Sequence, residues 1–201
     1  MSKWLTEGDW VYEICSNKTE CAIREYKGKK ENIMVPDQCG GFPVTIFGNN
    51  VSCVFIYAKV QTVILPSTIT QVTSCAFLSC TSLKHITLPL GLLFIGDNAF
   101  YNCSSLKSIE LPNTISCIKC RTFCCCKSLH SITIPSSVKV IESMAFLECC
   151  NLERVDFCKG IEIIEHHAFR QTSIVKVMLP DSITYIDNES FNKETLIMGT
   201  V

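Results

Sequence analysis

Two rhythms of apolar residues run through the chain. Over short distances, as in Leu83-Lys84-His85-Ile86-Thr87-Leu88-Pro89, Ile86 and Leu88 alternate with polar residues at the period of two that marks a half-buried strand. Over long distances the segment returns. Pro66, Pro89, Pro112 and Pro135 stand 23 residues apart, the next step falls on Cys158, and a step of 22 reaches Pro180. Phe77, Phe100, Phe123, Phe146 and Phe169 keep the same spacing, and Phe191 follows after the same shorter step. Further columns are Leu83, Leu106, Leu129, Leu152, Ile174; Ile86, Ile109, Ile132, Val155, Val177; and Ile69, Leu92, Ile115, Val138, Ile161, Ile183. Repeats of about 20–50 residues build solenoids, propellers or arrays.

The pattern predicts one strand per turn. Proline closes each strand because a residue without an N–H cannot continue a backbone ladder. The return path, Leu92, Ile95, Ala99 and Phe100 in one turn, supplies the opposite wall of the core, and a column of small residues (Ala76, Ala99, Thr122, Ala145, Ala168, Ser190) predicts a tight corner. No helix longer than two turns fits. Such coils bury an apolar face only by stacking, with parallel strands about 4.8 Å apart, so the ends need caps. Trp10–Ile14 and Cys21–Tyr26 alternate like paired strands around the turn Ser16-Asn17-Lys18-Thr19, a hairpin that shields the first coil. Ile33-Met34-Val35-Pro36 resembles the strand-plus-proline unit. Residues 43–65 read as a degenerate coil with Pro43, Ile46, Val60, Val63 and Leu65 in register, although Phe47-Gly48-Asn49-Asn50 resembles Ile95-Gly96-Asp97-Asn98 two residues out of step. The division is a cap over 1–42 and a solenoid over 43–201 of about six coils, the last truncated.

With 18 Lys+Arg against 19 Asp+Glu the formal charge is −1, so no basic excess is present to neutralise a phosphate backbone, and nucleic acid is not expected as a partner. No apolar run approaches the length of a membrane span, and Met1 to Glu7 lacks the apolar region of a signal peptide. Fifteen cysteines is a high and odd number in a chain much larger than disulfide-dependent secreted domains. Cys80, Cys103, Cys126 and Cys149 form a column three residues after each Phe, which the period directs into the core as small reduced hydrophobes. A disulfide ladder would need Cβ geometry that stacked coils rarely offer. The Cys117-Ile118-Lys119-Cys120 and Cys124-Cys125-Cys126 cluster has zinc-like spacing, but its members fall on different sides of the coil, with Cys120 and Cys125 the surface candidates; no metal or cofactor is expected. His166 shares the column of Cys120 two coils away, too far for one ligand sphere.

His85, His130, His166 and His167 belong to no nucleophile elbow, His-Glu-x-x-His helix or phosphate loop, and a solenoid offers a shallow face rather than an enclosed pocket, so no catalytic residues and no enzyme are expected. The remaining functional surface is the outward strand face, with columns Thr62, His85, Ser108, Ser131, Arg154, Lys176 and Ile64, Thr87, Glu110, Thr133, Asp156, Met178. The candidate binding residues are His85, Thr87, Ser108, Glu110, Ser131, Thr133, Arg154, Asp156 and Lys176.

The unit Leu-x-x-Ile-x-Leu-Pro-x-x-Ile-x-x-Ile-x-x-x-Ala-Phe-x-x-Cys, seen at Leu106 to Cys126 with Thr122 for Ala, resembles the BspA-like or Treponema class of leucine-rich repeat over about residues 33–196. The resemblance implies a leucine-rich repeat solenoid, α/β by convention and mostly β here: a curved right-handed coil with its parallel sheet on the concave face. It also implies a non-enzymatic protein-interaction module of the surface adhesion or host- and matrix-binding type, displayed on the cell surface or secreted. The departures are Cys158 for proline, the repeat without cysteine after Phe169, and the missing signal peptide. An alternative reading is a structural segment that self-associates end to end, since Leu196 to Val201 looks like a strand begun and cut, an open edge.

Overall fold

The computed structural model describes residues 4–56 and 58–199; Met1 to Lys3, within the segment read for a leader, and Thr200 and Val201, the end of the expected last strand, lie outside them. The described residues wind into about eight turns of parallel sheet without helix. The front row of strands comprises Asn32–Met34, Thr62–Ile64, His85–Thr87, Ser131–Ile134, Arg154–Phe157, Lys176–Met178 and Leu196–Met198. A back row of mostly two-residue strands runs through Phe42–Phe47, Gln71–Val72, Phe94–Ile95, Cys117–Ile118, Val140–Ile141, Ile163–Ile164 and Tyr185–Ile186. Between the rows lie the predicted Leu, Ile and Phe columns, all buried.

The corner after each back strand is the most regular part. Phe77, Phe100, Phe123, Phe146, Phe169 and Phe191 stack face to face there, and Phe47, at the end of the first back strand, adds its ring to the stack, with centroids 4.9–5.4 Å apart and planes within 19°. Around each ring the backbone bonds to the next coil: the amides of Cys75, Phe77 and Ser79 donate to the carbonyls of Asp97, Ala99 and Tyr101, and the trio repeats from Asn98, Arg121 and Met144 onward. From Cys75 to Gln171 two non-glycine residues per turn adopt the left-handed conformation there, Cys75 and Ser79 in one turn, Asn98 and Asn102 in the next. The small column beside the rings is fully buried, and Thr122 satisfies its hydroxyl by donating to Lys119 O at 2.8 Å.

The cysteine column lies in this core as expected. The thiols of Cys103, Cys126 and Cys149 donate to the carbonyls of Phe77, Phe100 and Phe123 at 3.2, 3.2 and 3.0 Å, one coil back. Burial pushes all three well above the ordinary thiol range, so they stay protonated and unreactive. Cys80 instead meets Cys53, with the sulfurs 3.1 Å apart. Cys150 and Cys158 are the exposed cysteines, whereas the expected surface candidates Cys120 and Cys125 are half-buried.

The N-terminal segment forms an antiparallel unit of β1 (Trp4–Glu7), β2 (Trp10–Ile14) and β3 (Cys21–Tyr26), the last two being the expected hairpin. Strand β3 pairs in parallel with the first back strand. Trp10, Tyr26 and Phe55 carry the aromatic contacts onward to Phe77, with centroids 4.7–5.8 Å apart along the way. Arg24 pairs with Glu13 at 2.8 Å and donates to Gly48 O, tying β2, β3 and the first turn together.

The register of the degenerate coil needs correction. Asn32–Met34 pairs with Thr62–Ile64, which places Pro36, not Pro43, in the proline column. Phe47 pairs with Val72, and Val72 with Ile95, so the out-of-step resemblance of Phe47 to Ile95 is the true alignment and Ile46 leaves the Ile69 column. The cause is extra chain. Gln38–Cys39 folds back antiparallel on Phe42–Pro43, which lengthens this turn and shifts the residues after it. Val63 keeps its expected column, pairing with Ile86.

Replacing Phe123 by Ala should cost about 3–5 kcal/mol, since the rings of Phe100 and Phe146 are held by their own coils and cannot collapse into the gap; denaturant unfolding measures it, and a loss below about 1 kcal/mol would contradict a buried stack. Thiol labelling should be biphasic: Cys150 and Cys158 react in the native protein, Cys103, Cys126 and Cys149 only after unfolding, as peptide mapping with mass detection will show.

Candidate functional site on the strand face

All nine candidate residues lie on the front row and point outward. His85 and Thr87 stand beside Thr62 and Ile64, and Ser131 and Thr133 pair directly with Arg154 and Asp156. Lys176 follows on the next strand. Arg154 and Asp156 are bound to each other by two contacts, Nη2 and Nε each reaching Oδ2 at 2.6 and 2.7 Å. These two charges neutralise one another, leaving Glu110, His85 and Lys176 as the charged or titratable candidates outside that pair. The Arg154 side chain is 74% exposed, so the pair holds weakly and can be exchanged.

Ser108 and Glu110 are in a different condition. The segment Ser108–Leu111 makes no backbone hydrogen bond to either neighbouring coil, so the front row is interrupted between His85–Thr87 and Ser131–Ile134; it parts a second time between Arg154–Phe157 and Lys176–Met178, where both strands are formed. The back row parts at the first of these breaks, between Phe94–Ile95 and Cys117–Ile118, and the widest step of the ring stack, 5.4 Å, lies there too. The corner bonds run on without a break, from Asn98, Phe100 and Asn102 to Cys120, Thr122 and Cys124. The coils are therefore held at the corner and splayed at both strand rows.

Two grooves open beside the interrupted segment. One, of about 530 Å³, lies between Ser108–Asn113 and Ser131–Ser136 and reaches Cys158. The other, of about 260 Å³, lies between His85–Leu88 and Ser108–Glu110. Hydroxyls and one carboxylate rim them over a floor of Ile109, Ile132 and Leu111. At the far side of the larger groove the departure from proline has a structural use. The Cys158 amide donates to Ile134 O, an extra rung that a proline could not form, and the strands below it are four residues long where most front strands have three.

The cysteine cluster does not converge. Cys117 sits half-buried against Glu142, 3.3 Å from its carboxylate, and is pushed up to about 12, first by burial and then by that carboxylate. Cys124 and Cys125 touch each other at 3.6 Å, and Cys126 is in the core. Glu142 is the focus of this region, accepting from Lys119 Nζ at 2.7 Å, from Cys117 Sγ and from the Cys120 amide. Burial alone would raise its pKa, but these donors outweigh it and hold the carboxyl below the usual range. Among the described residues the one cluster with metal-ligand spacing is His166, His167 and Glu189, which the column-by-column reading of the sequence missed. The signal was present: a His-His pair with an acid one 22-residue step beyond the second histidine.

Residues 48–161 and 82–197 match the model of the BspA type leucine rich repeat region, in six copies. The chain belongs to the BspA-type leucine-rich repeat family. This family and fold are typically non-enzymatic. The repeat protein is similar to a leucine rich cell surface protein from Faecalibacterium prausnitzii, with a TM-score of 0.86 and 28% identity over 98% of this chain and 54% of that one. It thus spans about half the length of that relative. It is also similar to a leucine rich repeat protein of T. pallidum, with a TM-score of 0.75 and 28% identity over 92% of this chain and 82% of the other. A pneumococcal vaccine antigen, PcpA, shares the fold with a TM-score of 0.55 at 19% identity, over 98% of this chain and 49% of that one. No curated protein matches the sequence. No helix of the described residues is long and apolar enough to cross a membrane.

Glu142→Gln should lower stability by about 1 kcal/mol at neutral pH, because it removes the charge that three donors converge on. The carboxyl is depressed in the folded chain, so its contribution is present above the ordinary carboxylate range and is lost as pH falls from that range through the lower value of the folded group. Unfolding curves of the two proteins should converge in acid; a constant difference would assign the effect to packing.

Proposed function

We propose that the chain is a non-enzymatic protein-interaction module of the surface adhesion or matrix-binding type, which receives a protein partner on its front face around Ser108–Glu110. The observation that carries this reading is the interruption of the front row, where Ser108–Leu111 holds unused backbone donors and acceptors between two grooves. Backbone groups left free in a sheet favour an extended segment of a partner, which supplies the missing hydrogen bonds. The short side chains of Ser108, Ser131 and Thr133 permit close approach, and Glu110, with the exchangeable Arg154–Asp156 pair, sets orientation and on-rate more than affinity. Likeness to a relative described as a cell surface protein supports display outside the cell.

The test is capture of purified matrix and surface proteins on the immobilised chain. Filling the grooves with Ser108→Trp and Ser131→Trp should weaken capture roughly tenfold or more, about 1.4 kcal/mol, at unchanged melting temperature. Replacing Arg154 and Asp156 together should weaken it less, and added salt should do the same. Asn102→Ala and Glu148→Ala, at the corner, should leave capture intact. If corner and front-face changes behave alike, the front-face site is wrong; if Ile197→Lys alone abolishes capture and also dissociates self-assemblies, end-to-end association replaces it.

A further inference from the structure

The corner of the turn containing His166 and His167 differs from those before it in what it gathers. In the two preceding turns an acid reaches back one coil to cap a backbone amide: Glu142 Oε2 accepts from the Cys120 amide at 3.0 Å, and Glu165 Oε2 from the Ser143 amide at 2.9 Å. The next residue of this series is Asp187, one methylene shorter. Its Oδ1 accepts instead from the imidazole of His166, at Nδ1, 3.2 Å away, and from the Glu189 amide at 2.9 Å. A carboxylate accepting at Nδ1 fixes the proton on that nitrogen and leaves the Nε2 lone pair free.

That lone pair faces a second imidazole and a second carboxylate. His167 adopts the left-handed conformation, with φ of 57°, as do its counterparts Cys75, Asn98, Arg121 and Met144, so the repeat itself sets this backbone. In an extended strand neighbouring side chains point to opposite faces; here the left-handed step brings them to the same side, with the two rings stacked 3.7 Å apart. Glu189, one repeat step beyond His167, places Oε2 at 3.0 Å from His167 Nε2 and 3.9 Å from His166 Nε2. Donors of a tetrahedral zinc site with bonds of about 2.0–2.2 Å stand roughly 3.3–3.6 Å apart, and the two observed distances bracket that value.

We propose that His166 Nε2, His167 Nε2 and a Glu189 carboxylate oxygen form a binding site for a divalent cation of the zinc class, with Asp187 as the positioning residue that orients His166. Two imidazoles and one carboxylate suit zinc and its late first-row neighbours and are a poor set for calcium or magnesium, which favour all-oxygen shells. The ligands are partly exposed, His166 at 46% and Glu189 at 51%, so the fourth position is open to water or to a donor from another molecule. The site lies at the corner, away from the front-face grooves, and is independent of what those grooves bind.

The experiment uses the full chain with Zn²⁺ as the probe, read by nitrogen-detected imidazole resonances and by calorimetry. One equivalent of Zn²⁺ should move the Nε2 signals of His166 and His167 together and leave those of His85 and His130 in place. His167→Ala and Glu189→Gln should abolish or greatly weaken that event, and Asp187→Asn should weaken it about 10–100-fold while shifting the His166 proton toward Nε2 in the metal-free protein. Circular dichroism of each variant checks that it folds. Because the chain carries 15 cysteines, Co²⁺ separates the alternative: an intense near-ultraviolet sulfur-to-cobalt band that persists in His167→Ala would show that thiols take the metal, and would overturn the site. Histidine signals that ignore Zn²⁺, or equal affinity in Glu189→Gln, would overturn it as well.

Discussion

Seven phenylalanine rings lie one above another at 4.9–5.4 Å, close to the spacing of hydrogen-bonded parallel chains, and this agreement between two distances holds the coil together. A flat ring fills one coil's share of the axis, so each turn seats on the last without a void and without strain. Strands of two or three residues would not persist alone. They form because the corner has already aligned the chains on either side of them. Where the strands part, at Ser108–Leu111, the corner continues, which shows which element leads and which follows.

The repeat was legible in the sequence because its columns obey one rule: a residue in the same place every turn meets the same environment. That rule identified the phenylalanine stack, the cysteine column and the outward strand faces. It failed in the first turn, where the fold-back of Gln38–Cys39 onto Phe42–Pro43 adds residues that no period announces, so Pro43 and Ile46 looked aligned and were not. It could not reveal the gap in the front row, because Leu106, Ile109, Leu111 and Pro112 all match the repeat. The opening there is set by how two coils sit together, which column identity does not encode.

The candidate sites divide along the same line. The nine strand-face residues were found as columns, and the structure adds that Arg154 and Asp156 hold each other and that Ser108 and Glu110 flank free backbone. The histidine cluster escaped because it joins adjacent positions of one turn to an acid of the next, a diagonal relation that a search down columns passes over. Cys158 shows the reverse case. Its departure from proline is plain in the sequence, but its effect, one more rung between the strands, appears only when the partner carbonyl of Ile134 is in view.

The left-handed residues at the corners bear on how the array comes apart. Such a backbone costs about 1–2 kcal/mol for a residue other than glycine, and each turn from Cys75 to Gln171 contains two. An isolated turn would relax to an ordinary conformation and lose its shape. Only hydrogen bonds to the coils on both sides hold it, so a terminal turn with one neighbour is under-compensated and an interior turn is locked. Loss of a middle corner therefore releases the strained residues of its neighbours as well, and unfolding should spread from a break in both directions rather than remain confined to one repeat.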